Sequence, residues 1–439
     1  MRRTKSGEEG NYLVSISKGG LYPGCRGIED LRRHNRALVL ELVRTRGPIS
    51  RAQLAEVGRL SMPTVMGTVD KLMEEGLVRE VGPGPSTGGR PPTLLGLVPE
   101  AHCVIGLEVG TETLTGVATD LNAMVRERMK MPSGMAQGPE TLVRHIRQTL
   151  KRVLKGFPSE VGEVLGIGMA LPAPVLQPDA SVPMIFSPPS YPGWGELRIG
   201  SIVEEEFGLP VLLDNDANAA ALGEHLYGAG QGVQDMFYLV AHRGVGGAAI
   251  VDGILYRGSL GGAGEIGHTV VDLEGPRCGC GRYGCLEAFA GRAAIARRAS
   301  RALKLAGGGR MAGCDPDEIK AEDVIRAGMK GDELARGVLE ETGEYLGIGI
   351  SNVVNLYDPE LVVVGGSTMR AGNLLLGPMI RVVRRRALPE LAERVRVVPG
   401  SLGEDAGAVG AAALVLRELF ALSVPKEEEE SSEQGTMVR

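Results

Sequence analysis

From Cys103 onward, short runs of strand-forming apolar residues alternate with longer helical patterns. Helical segments fall around 139–156, 196–207 and 333–356. The strand candidates around them are 104–109, 114–119, 164–170, 211–214, 236–240, 248–251 and 361–364. Regular alternation of this kind predicts an α/β architecture. The chain has 439 residues, which allows about three folding units at roughly 150 residues each.

The first hundred residues follow a different pattern, in which three helices precede a hairpin. The first helix is predicted over 32–44, with Leu38 and Leu42 on its apolar face. Ser50 and Ser61 suit the N-caps of a second and a third helix, because a serine hydroxyl accepts a bond from a free backbone N–H in the first turn. In the third helix, apolar residues recur at helical spacing, at Val65, Val69 and Leu72.

A Gly/Pro-rich run over residues 81–92 predicts a hairpin tip after the third helix. The order helix, helix-turn-helix and β-wing is typical of winged-helix DNA-binding domains. In that layout the third helix lies in the major groove, a helix N-terminus and a nearby arginine meet phosphates, and the wing tip reaches a minor groove. The residues predicted to face DNA are Arg51, Ser61, Met62, Thr64, Gly67, Thr68, Lys71 and Arg90.

The charge distribution is consistent with this prediction. Residues 1–100 carry a net charge of +4, and the rest of the chain carries −10. A basic head on an acidic body fits double-stranded DNA as a partner. The alternative interpretation is a small helical domain used for protein contacts.

Three of the six cysteines lie within eight residues, at Cys278, Cys280 and Cys285, and His268 lies ten residues before the first of them. Three thiols and an imidazole form the ligand set of a structural Zn²⁺ site, and the glycines between them let a short loop converge on one ion. With all four ligands bound, no coordination position remains for a catalytic water. The alternative is three unrelated buried thiols and a surface histidine.

No apolar stretch reaches the roughly 18 residues of a membrane span, and residues 1–22 contain no apolar signal core. We therefore expect a cytoplasmic protein with no membrane partner. In such a chain, clustered thiols indicate a metal rather than disulfides.

Several motifs together resemble those of the ROK family of repressors, open reading frames and sugar kinases. They are Glu265-Ile266-Gly267-His268, Cys278-Gly279-Cys280-Gly281-Arg282-Tyr283-Gly284-Cys285-Leu286-Glu287 and Leu213-Asp214-Asn215-Asp216-Ala217-Asn218-Ala219-Ala220. The head resembles the DNA-binding portion of the repressor branch, through Ser50-Arg51-Ala52-Gln53-Leu54-Ala55 and Gly88-Gly89-Arg90-Pro91. The resemblance extends from about Arg33 to Leu419.

The resemblance implies an actin/hexokinase-like fold of two α/β lobes around a cleft, joined to the winged helix-turn-helix head. The expected segments are a flexible arm at 1–28, the head at 29–100, lobe one at 101–222, lobe two with the metal loop at 223–424, and a disordered acidic tail at 425–439. The C-terminal helix of lobe two can return to lobe one.

The resemblance also implies a sugar ligand, contacted by Asn215, Asp216, Glu265, His268 and Glu287. In the kinases of the family, the carboxylate that corresponds to Asp216 is the general base that deprotonates the sugar hydroxyl. Ser190 stands where the family usually has asparagine, which leaves the identity of the sugar open.

Both phosphate loops depart from the kinase pattern. The first loop of the kinases runs Asp-x-Gly-Gly-Thr-Lys, whereas this chain has Glu108-Val109-Gly110-Thr111-Glu112-Thr113. The second begins Gly-Thr-Gly, whereas this chain has His242-Arg243-Gly244. Glu112 would repel a triphosphate, although a cation such as Arg243 can offset part of this, and the bulky side chains hinder backbone N–H groups from approaching phosphate. ATP is therefore not expected as a cofactor.

The third helix of the head departs from the family too, because Met66-Gly67 replaces a common Ser-Arg pair. Base recognition would then depend on Thr64 and on apolar contact with thymine methyl groups.

The leading hypothesis is a sugar-responsive transcriptional regulator, a repressor without kinase activity, that binds operator DNA as a homodimer. The second is an ATP-dependent sugar kinase that carries a DNA-binding head. The third is a constitutive DNA-binding protein whose body serves only to dimerise. The altered phosphate loops favour a regulator over an enzyme, and the retained sugar-side acids argue against a pure scaffold.

Overall fold

The computed structural model describes residues 28–85, 91–156, 162–173, 197–306, 311 and 313–420. It divides into two compact units, one ending at Pro99 and including the residues from Arg417 onward, and the other spanning Glu100–Leu416. The predicted arm up to residue 27, the wing-tip Arg90, the sugar-side Ser190 and the acidic tail lie outside the described residues. Predictions about them therefore stay predictions.

The first unit has the predicted order of three helices followed by a hairpin. Its elements are α1 Ile28–Arg46, β1 Ile49–Ser50, α2 Arg51–Gly58, α3 Met62–Glu74, β2 Val78–Pro83 and β3 Thr93–Leu97. The strands form an antiparallel sheet in the order β1-β3-β2, with Ile49 opposite Leu95 and Val78 opposite Leu97. This is a winged helix-turn-helix.

The two serine caps form as the sequence predicts. The Ser50 hydroxyl accepts a bond from the Gln53 N–H at 3.3 Å, and the Gln53 side chain accepts one from the Ser50 N–H at 3.0 Å, which makes a capping box for α2. Arg59, at φ 50°, ends α2. Ser61 caps α3 by accepting a bond from the Thr64 N–H at 3.3 Å. The turn between the helices is therefore short and fixed at both ends.

The packing of α3 matches the prediction, whereas that of α1 differs. Val65, Val69 and Leu72 on α3 are fully buried. On α1, Leu38 and Leu42 are only half-buried, and the fully buried residues are Val39, Leu40 and Val43. The reason is that α1 contacts α2, α3 and β3 together, so its buried surface is wider than one stripe and lies one residue further around the helix.

Two five-stranded sheets form the body. The first contains β4 Cys103–Val109, β5 Thr113–Thr119, β6 Val125–Pro132, β7 Val164–Leu171 and β8 Val211–Asn215, in the order β6-β5-β4-β7-β8. The second contains β9 Met236–Ala241, β10 Val245–Val251, β11 Ile254–Tyr256, β12 Leu361–Gly365 and β13 Arg396–Pro399, in the order β11-β10-β9-β12-β13.

The two sheets repeat one topology. In each, the first three strands form an antiparallel meander, and the last two extend it in parallel from the first strand. Two lobes that repeat this arrangement define the actin/hexokinase-like fold. All seven predicted strands lie within observed strands, and the described residues add β6, β11 and β13 to the body.

Helices cover both sheets. Those of the body are α4 Pro139–Gly156, α5 Ile199–Phe207, α6 Asp216–Tyr227, α7 Leu286–Ala290, α8 Arg292–Leu305, α9 Ala321–Met329, α10 Glu333–Tyr357, α11 Asn373–Arg386, α12 Pro389–Arg394 and α13 Ala406–Phe420. Within the described residues, we find no helix with the length and apolar character of a bilayer span.

Helix α13 lies directly on the first sheet. A Cβ atom at Gly106 of β4 would lie 2.0 Å from the Ala408 carbonyl oxygen, and one at Gly168 of β7 would lie 1.7 Å from the Ala411 carbonyl oxygen. Only glycine permits so close an approach of helix and strand backbones. The chain therefore returns to its first sheet after completing the second.

Candidate functional site

The end of β8 and the start of α6 carry the first group of predicted sugar contacts. Asn215 caps α6, because its side-chain oxygen accepts bonds from the Ala217 N–H at 2.9 Å and the Asn218 N–H at 3.3 Å. Its side-chain amide donates to the Ala173 carbonyl oxygen at 3.3 Å. Asp216 accepts a bond from the Ala217 N–H at 2.8 Å. Both polar ends of Asn215 thus shape the turn that presents Asp216.

The second group comes from the other lobe. Glu265 precedes a short 3₁₀ turn, Ile266–His268, and its carboxylate lies 3.9 Å from Nε2 of His268. The other ring nitrogen of His268, Nδ1, lies 3.8 Å from Sγ of Cys278. The two nitrogens therefore face different partners, one towards the acid and one towards the thiols.

His268 and the three clustered cysteines come together as predicted. Their ligand atoms all lie within 4.8 Å of one another, and Sγ of Cys280 lies 3.7 Å from Sγ of Cys285. Gly281 and Gly284 adopt φ of 90° and 73°, which closes the loop tightly enough for the thiols to converge. The cluster can hold a metal ion, because imidazole and thiolate are common metal ligands.

Glu287, in the first turn of α7, connects this cluster to the second phosphate loop. One of its carboxylate oxygens accepts a bond from the Cys278 thiol at 3.6 Å, and the other accepts one from the Val245 N–H at 3.2 Å. Gly244 lies against the same carboxylate. The predicted sugar contact Glu287 therefore also touches the loop 242–244, which the sequence did not predict.

Electrostatics join these acids into one group. Burial, together with the charge of Glu265, raises the pKa of Asp216 to about 6. Glu265 in turn lies close enough to Glu287 for their charges to interact. Burial also raises the pKa of Glu108, to about 7, and the charge of Asp216 adds to this effect. Glu108, predicted only as part of a phosphate loop, thus belongs to the acidic group.

The first phosphate loop forms an ion pair across the cleft. Gly110 N–H donates to the Thr113 carbonyl oxygen at 3.0 Å, which makes a tight turn with Glu112 exposed at its tip. The Glu112 carboxylate lies 3.4 Å from Nη1 of Arg292, at the start of α8, and Arg292 also pairs with Glu322. The sequence predicts that a cation such as Arg243 offsets the charge of Glu112, and Arg292 of the other lobe supplies such a cation.

The second phosphate loop is a three-residue turn between β9 and β10. His242 N–H donates to the Gly244 carbonyl oxygen at 3.0 Å, and Nδ1 of His242 lies 2.5 Å from the Ser367 hydroxyl oxygen. Arg243 contributes its carbonyl oxygen, which accepts a bond from the Arg292 N–H at 3.2 Å. Burial and the charge of Arg292 lower the pKa of His242, so the ring is mostly neutral at pH 7.

In the head, five of the residues predicted to face DNA lie on α3. Thr64, Thr68 and Lys71 form one row, with Gly67 beside them, and Met62 lies in a second row together with Met66, which was not predicted to face DNA. Met62 and Met66 are exposed by 44% and 42%, and Gly67 and Lys71 are exposed as well. Ser61 is exposed but serves as the helix cap described above. The outer surface of α3 is therefore open to a partner.

Arg51, which the sequence predicts to meet phosphates, is already paired with two acids. Its guanidinium lies 3.3 Å from the Glu80 carboxylate and 3.7 Å from the Asp70 carboxylate, and its side chain is only 21% exposed. It therefore ties α2 to α3 and β2, and binding a phosphate would compete with these two acids.

The basic excess of the head lies mostly outside its described residues. Residues 28–85 and 91–99 contain nine Lys and Arg against eight Asp and Glu. The sequence before residue 28 contributes a net charge of +3, and Arg90 contributes one more. Attraction to a polyanion would therefore depend largely on those segments.

Fold and site together define a class of protein, in which a two-lobed sugar-kinase-like body with an acidic cleft and a His/Cys cluster shares a chain with a winged-helix head. The chain belongs to the ROK family, whose model matches residues 104–418.

The similarity to known proteins includes the head as well. The chain is 30% identical over 392 residues to the xylose repressor of Bacillus spizizenii, covering 89% of this chain and 97% of that protein. It is 31% identical over 397 residues to the DNA-binding transcriptional dual regulator NagC of Escherichia coli K12, covering 90% and 95%. It also superposes on the crystal structure of a ROK family transcriptional regulator, a homologue of the E. coli MLC protein, with a TM-score of 0.75 and 27% identity, over 89% and 97%.

Proposed function

We propose that the protein is a DNA-binding transcriptional repressor of sugar metabolism, whose body binds a sugar effector and does not phosphorylate it. The proposal rests on one observation, that a winged-helix head and a sugar-kinase-like body are present in the same chain. The similar proteins that match both parts are named as regulators of transcription. The relatives named after a sugar differ in that sugar, because one is the xylose repressor of Bacillus spizizenii and another, 31% identical over 397 residues, is the N-acetylglucosamine repressor of Escherichia coli O6:H1.

The acidic cleft suits the hydroxyl groups of a sugar. Asp216, Glu265 and Glu287 offer carboxylate acceptors, and His268 offers a ring nitrogen on the same side. Carboxylates accept bonds from hydroxyl groups and select among sugars by the positions of those groups.

An ATP-dependent sugar kinase is the alternative function, and the Glu112–Arg292 pair argues against it. Glu112 places a negative charge at the loop tip where a kinase receives phosphates, and Arg292 is already paired with Glu112 and Glu322. A nucleotide would have to displace these acids. A coupled assay with ATP and common hexoses and pentoses distinguishes the two functions, since turnover of about 1 per second or faster would identify a working kinase.

The metal that best fits the cluster is Zn²⁺. Tetrahedral zinc with Zn–S of ~2.3 Å and Zn–N of ~2.0 Å separates two sulfur ligands by about 3.8 Å and a sulfur from a nitrogen by about 3.5 Å. The sulfur–sulfur distance of 3.7 Å between Cys280 and Cys285 matches this spacing, and the nitrogen–sulfur distance of 3.8 Å between His268 and Cys278 is slightly longer. Such an ion would hold the loop 278–285 rigid beside Glu287.

We predict that Cys280→Ser lowers both the zinc content and the melting temperature, because binding of a structural metal is linked to folding. The measurements are metal analysis of protein purified without added zinc and thermal unfolding. Cys314→Ser is the matched control, because Cys314 is a half-buried thiol outside the cluster. A wild-type protein without stoichiometric metal, or equal effects of the two substitutions, would contradict the zinc site.

We predict specific duplex binding by a homodimer, with two heads reading a near-palindromic site. Selection from a random duplex library should yield such a motif. Lys71→Ala on α3 should then weaken binding about three- to tenfold and reduce the salt dependence by about one ion, whereas Lys151→Ala on α4 should change neither. Enrichment of no motif, or unchanged affinity after removal of residues 1–100, would show that the head does not bind DNA.

A further inference from the structure

A buried ion pair joins the two halves of the proposed sugar site. Asp214 lies on β8 of the first sheet, and Arg257 follows β11 of the second. The Arg257 guanidinium contacts the Asp214 carboxylate, and their side chains are only 20% and 3% exposed. Because the two strands belong to different sheets, this pair connects one lobe to the other.

On the side of lobe one, Asp214 organises the turn that presents Asp216. Its second carboxylate oxygen accepts bonds from the Asn215 N–H and from the Asn218 side-chain amide, both at 2.8 Å. The residues on either side of Asp216 are thus held by the carboxylate that Arg257 contacts. A shift of Asp214 would move the whole turn.

On the side of lobe two, Arg257 begins the loop that leads to Glu265. Its carbonyl oxygen accepts a bond from the Ala263 N–H at 3.1 Å, which closes residues 257–263 into a compact loop. Glu265 follows two residues later. The backbone of Arg257 therefore closes this loop of lobe two, while its side chain forms an ion pair with Asp214 of lobe one.

We infer that Arg257 is a positioning residue, which sets the distance between Asp216 and the Glu265–His268 segment and thereby sets sugar affinity without touching the sugar. The inference rests on the proposed function. If the lobes separated, the Asp214 carboxylate would lose the cation that compensates its charge, which is unfavourable to the extent that the carboxylate remains buried. The pair therefore favours the arrangement in which both halves of the site face one ligand.

The first test needs no sugar. Hydrogen–deuterium exchange of the full chain should be faster for residues 258–268 and 215–218 in Arg257→Gln and in Asp214→Asn than in the wild type, and Arg257→Lys should restore protection. Arg126→Gln is the matched control, because Arg126 pairs with the buried Asp120 inside a single hairpin. Unchanged exchange in these segments, or the same increase in Arg126→Gln, would overturn the inference.

The second test measures affinity for D-xylose, D-glucose and N-acetyl-D-glucosamine by calorimetry. For whichever sugar the wild type binds, Arg257→Gln and Asp214→Asn should each lower the affinity about tenfold, the double variant should lower it no further, and Arg257→Lys should recover most of it. Wild-type affinity in the variants would overturn the inference. Failure of the wild type to bind any of these sugars would count against the proposed function, and the exchange experiment would still decide the role of Arg257.

Discussion

Glu108 shows how a single residue can report on the cleft. Its carboxyl group lies against Gly407 of α13 and close enough to Asp216 for their charges to interact, and Lys130 provides a partly compensating charge. Its pKa of about 7 lies above the ordinary value of 4.5. Between these values the folded protein binds a proton that the unfolded chain has released. Stability contributed by this group is therefore present at low pH and is lost as the pH rises towards and through 7.

We predict that Glu108→Gln raises the free energy of unfolding at pH 8 by about 1–3 kcal/mol and flattens its decline between pH 5 and pH 8. Urea denaturation at several pH values measures both effects. Part of the decline should remain, because the pKa of Asp216 is raised as well, to about 6.

The control for this experiment is Glu333→Gln, since the Glu333 side chain is 86% exposed and should leave the pH dependence unchanged. If the free energy of unfolding of Glu108→Gln declined as steeply as that of the wild type between pH 5 and pH 8, the Glu108 carboxyl group would have an ordinary pKa. That result would contradict its burial beside Asp216.

The ion pairs that could not be predicted from the sequence join residues that are far apart along the chain. Arg257 and Asp214 are 43 residues apart, and Arg292 and Glu112 are 180 apart. A motif shows which residues surround an acid locally, so Glu265, His268 and the cysteines were predictable. It does not show which arginine of another lobe will meet that acid, because this depends on the packing of the two sheets.

At the scale of elements, α3 contains an unusual glycine. Gly67 lies in the middle of the helix, and a Cβ atom there would have no neighbour within 4 Å. We predict that Gly67→Ala stabilises α3 by about 1 kcal/mol, because alanine loses less backbone entropy than glycine in a helix. Hydrogen exchange of residues 62–74 should slow about fivefold. Operator affinity should fall, since the added methyl group would lie at the proposed DNA surface.

Gly337→Ala is the matched control, because Gly337 is an exposed glycine within α10 that also has no neighbour within 4 Å. It should stabilise its own helix to a similar extent and leave operator affinity unchanged. Slower exchange with unchanged operator affinity in Gly67→Ala would show that this part of α3 does not contact DNA.

Strands with atypical patterns were either absent from the sequence prediction or predicted too short. Strand β6 alternates half-buried and exposed residues, and its exposed positions include Arg126, Arg128 and Lys130, so it has no apolar run. Strand β10 begins at Val245, but Gly246 and Gly247 weaken the strand signal until Ala248. Strand β13 has only four residues. In each case pairing to a neighbouring strand supplies the stability that local propensity lacks.

At the scale of the whole molecule, α13 is the element that continues from one unit into the other. The boundary between the units falls inside this helix, between Leu416 and Arg417. The start of the helix touches the acidic group, because a Cβ atom at Gly407 would lie 2.5 Å from the carboxyl carbon of Glu108. A change at the cleft that moves Glu108 therefore acts on the start of α13.

Because coupling between two binding sites is reciprocal, we predict that sugar and operator DNA alter each other's affinity by the same factor, of order 5- to 150-fold. Calorimetric titration of the sugar with and without operator measures the factor in one direction, and anisotropy of labelled operator with and without sugar measures it in the other. Gly407→Ala, which crowds Glu108 against α13, should change the coupling factor more than it changes operator affinity in the absence of sugar. Asp216→Ala should abolish sugar binding and with it the coupling. If a sugar binds clearly and its affinity is the same with and without operator, the cleft and the head do not communicate, and the sugar is not the effector of this repressor.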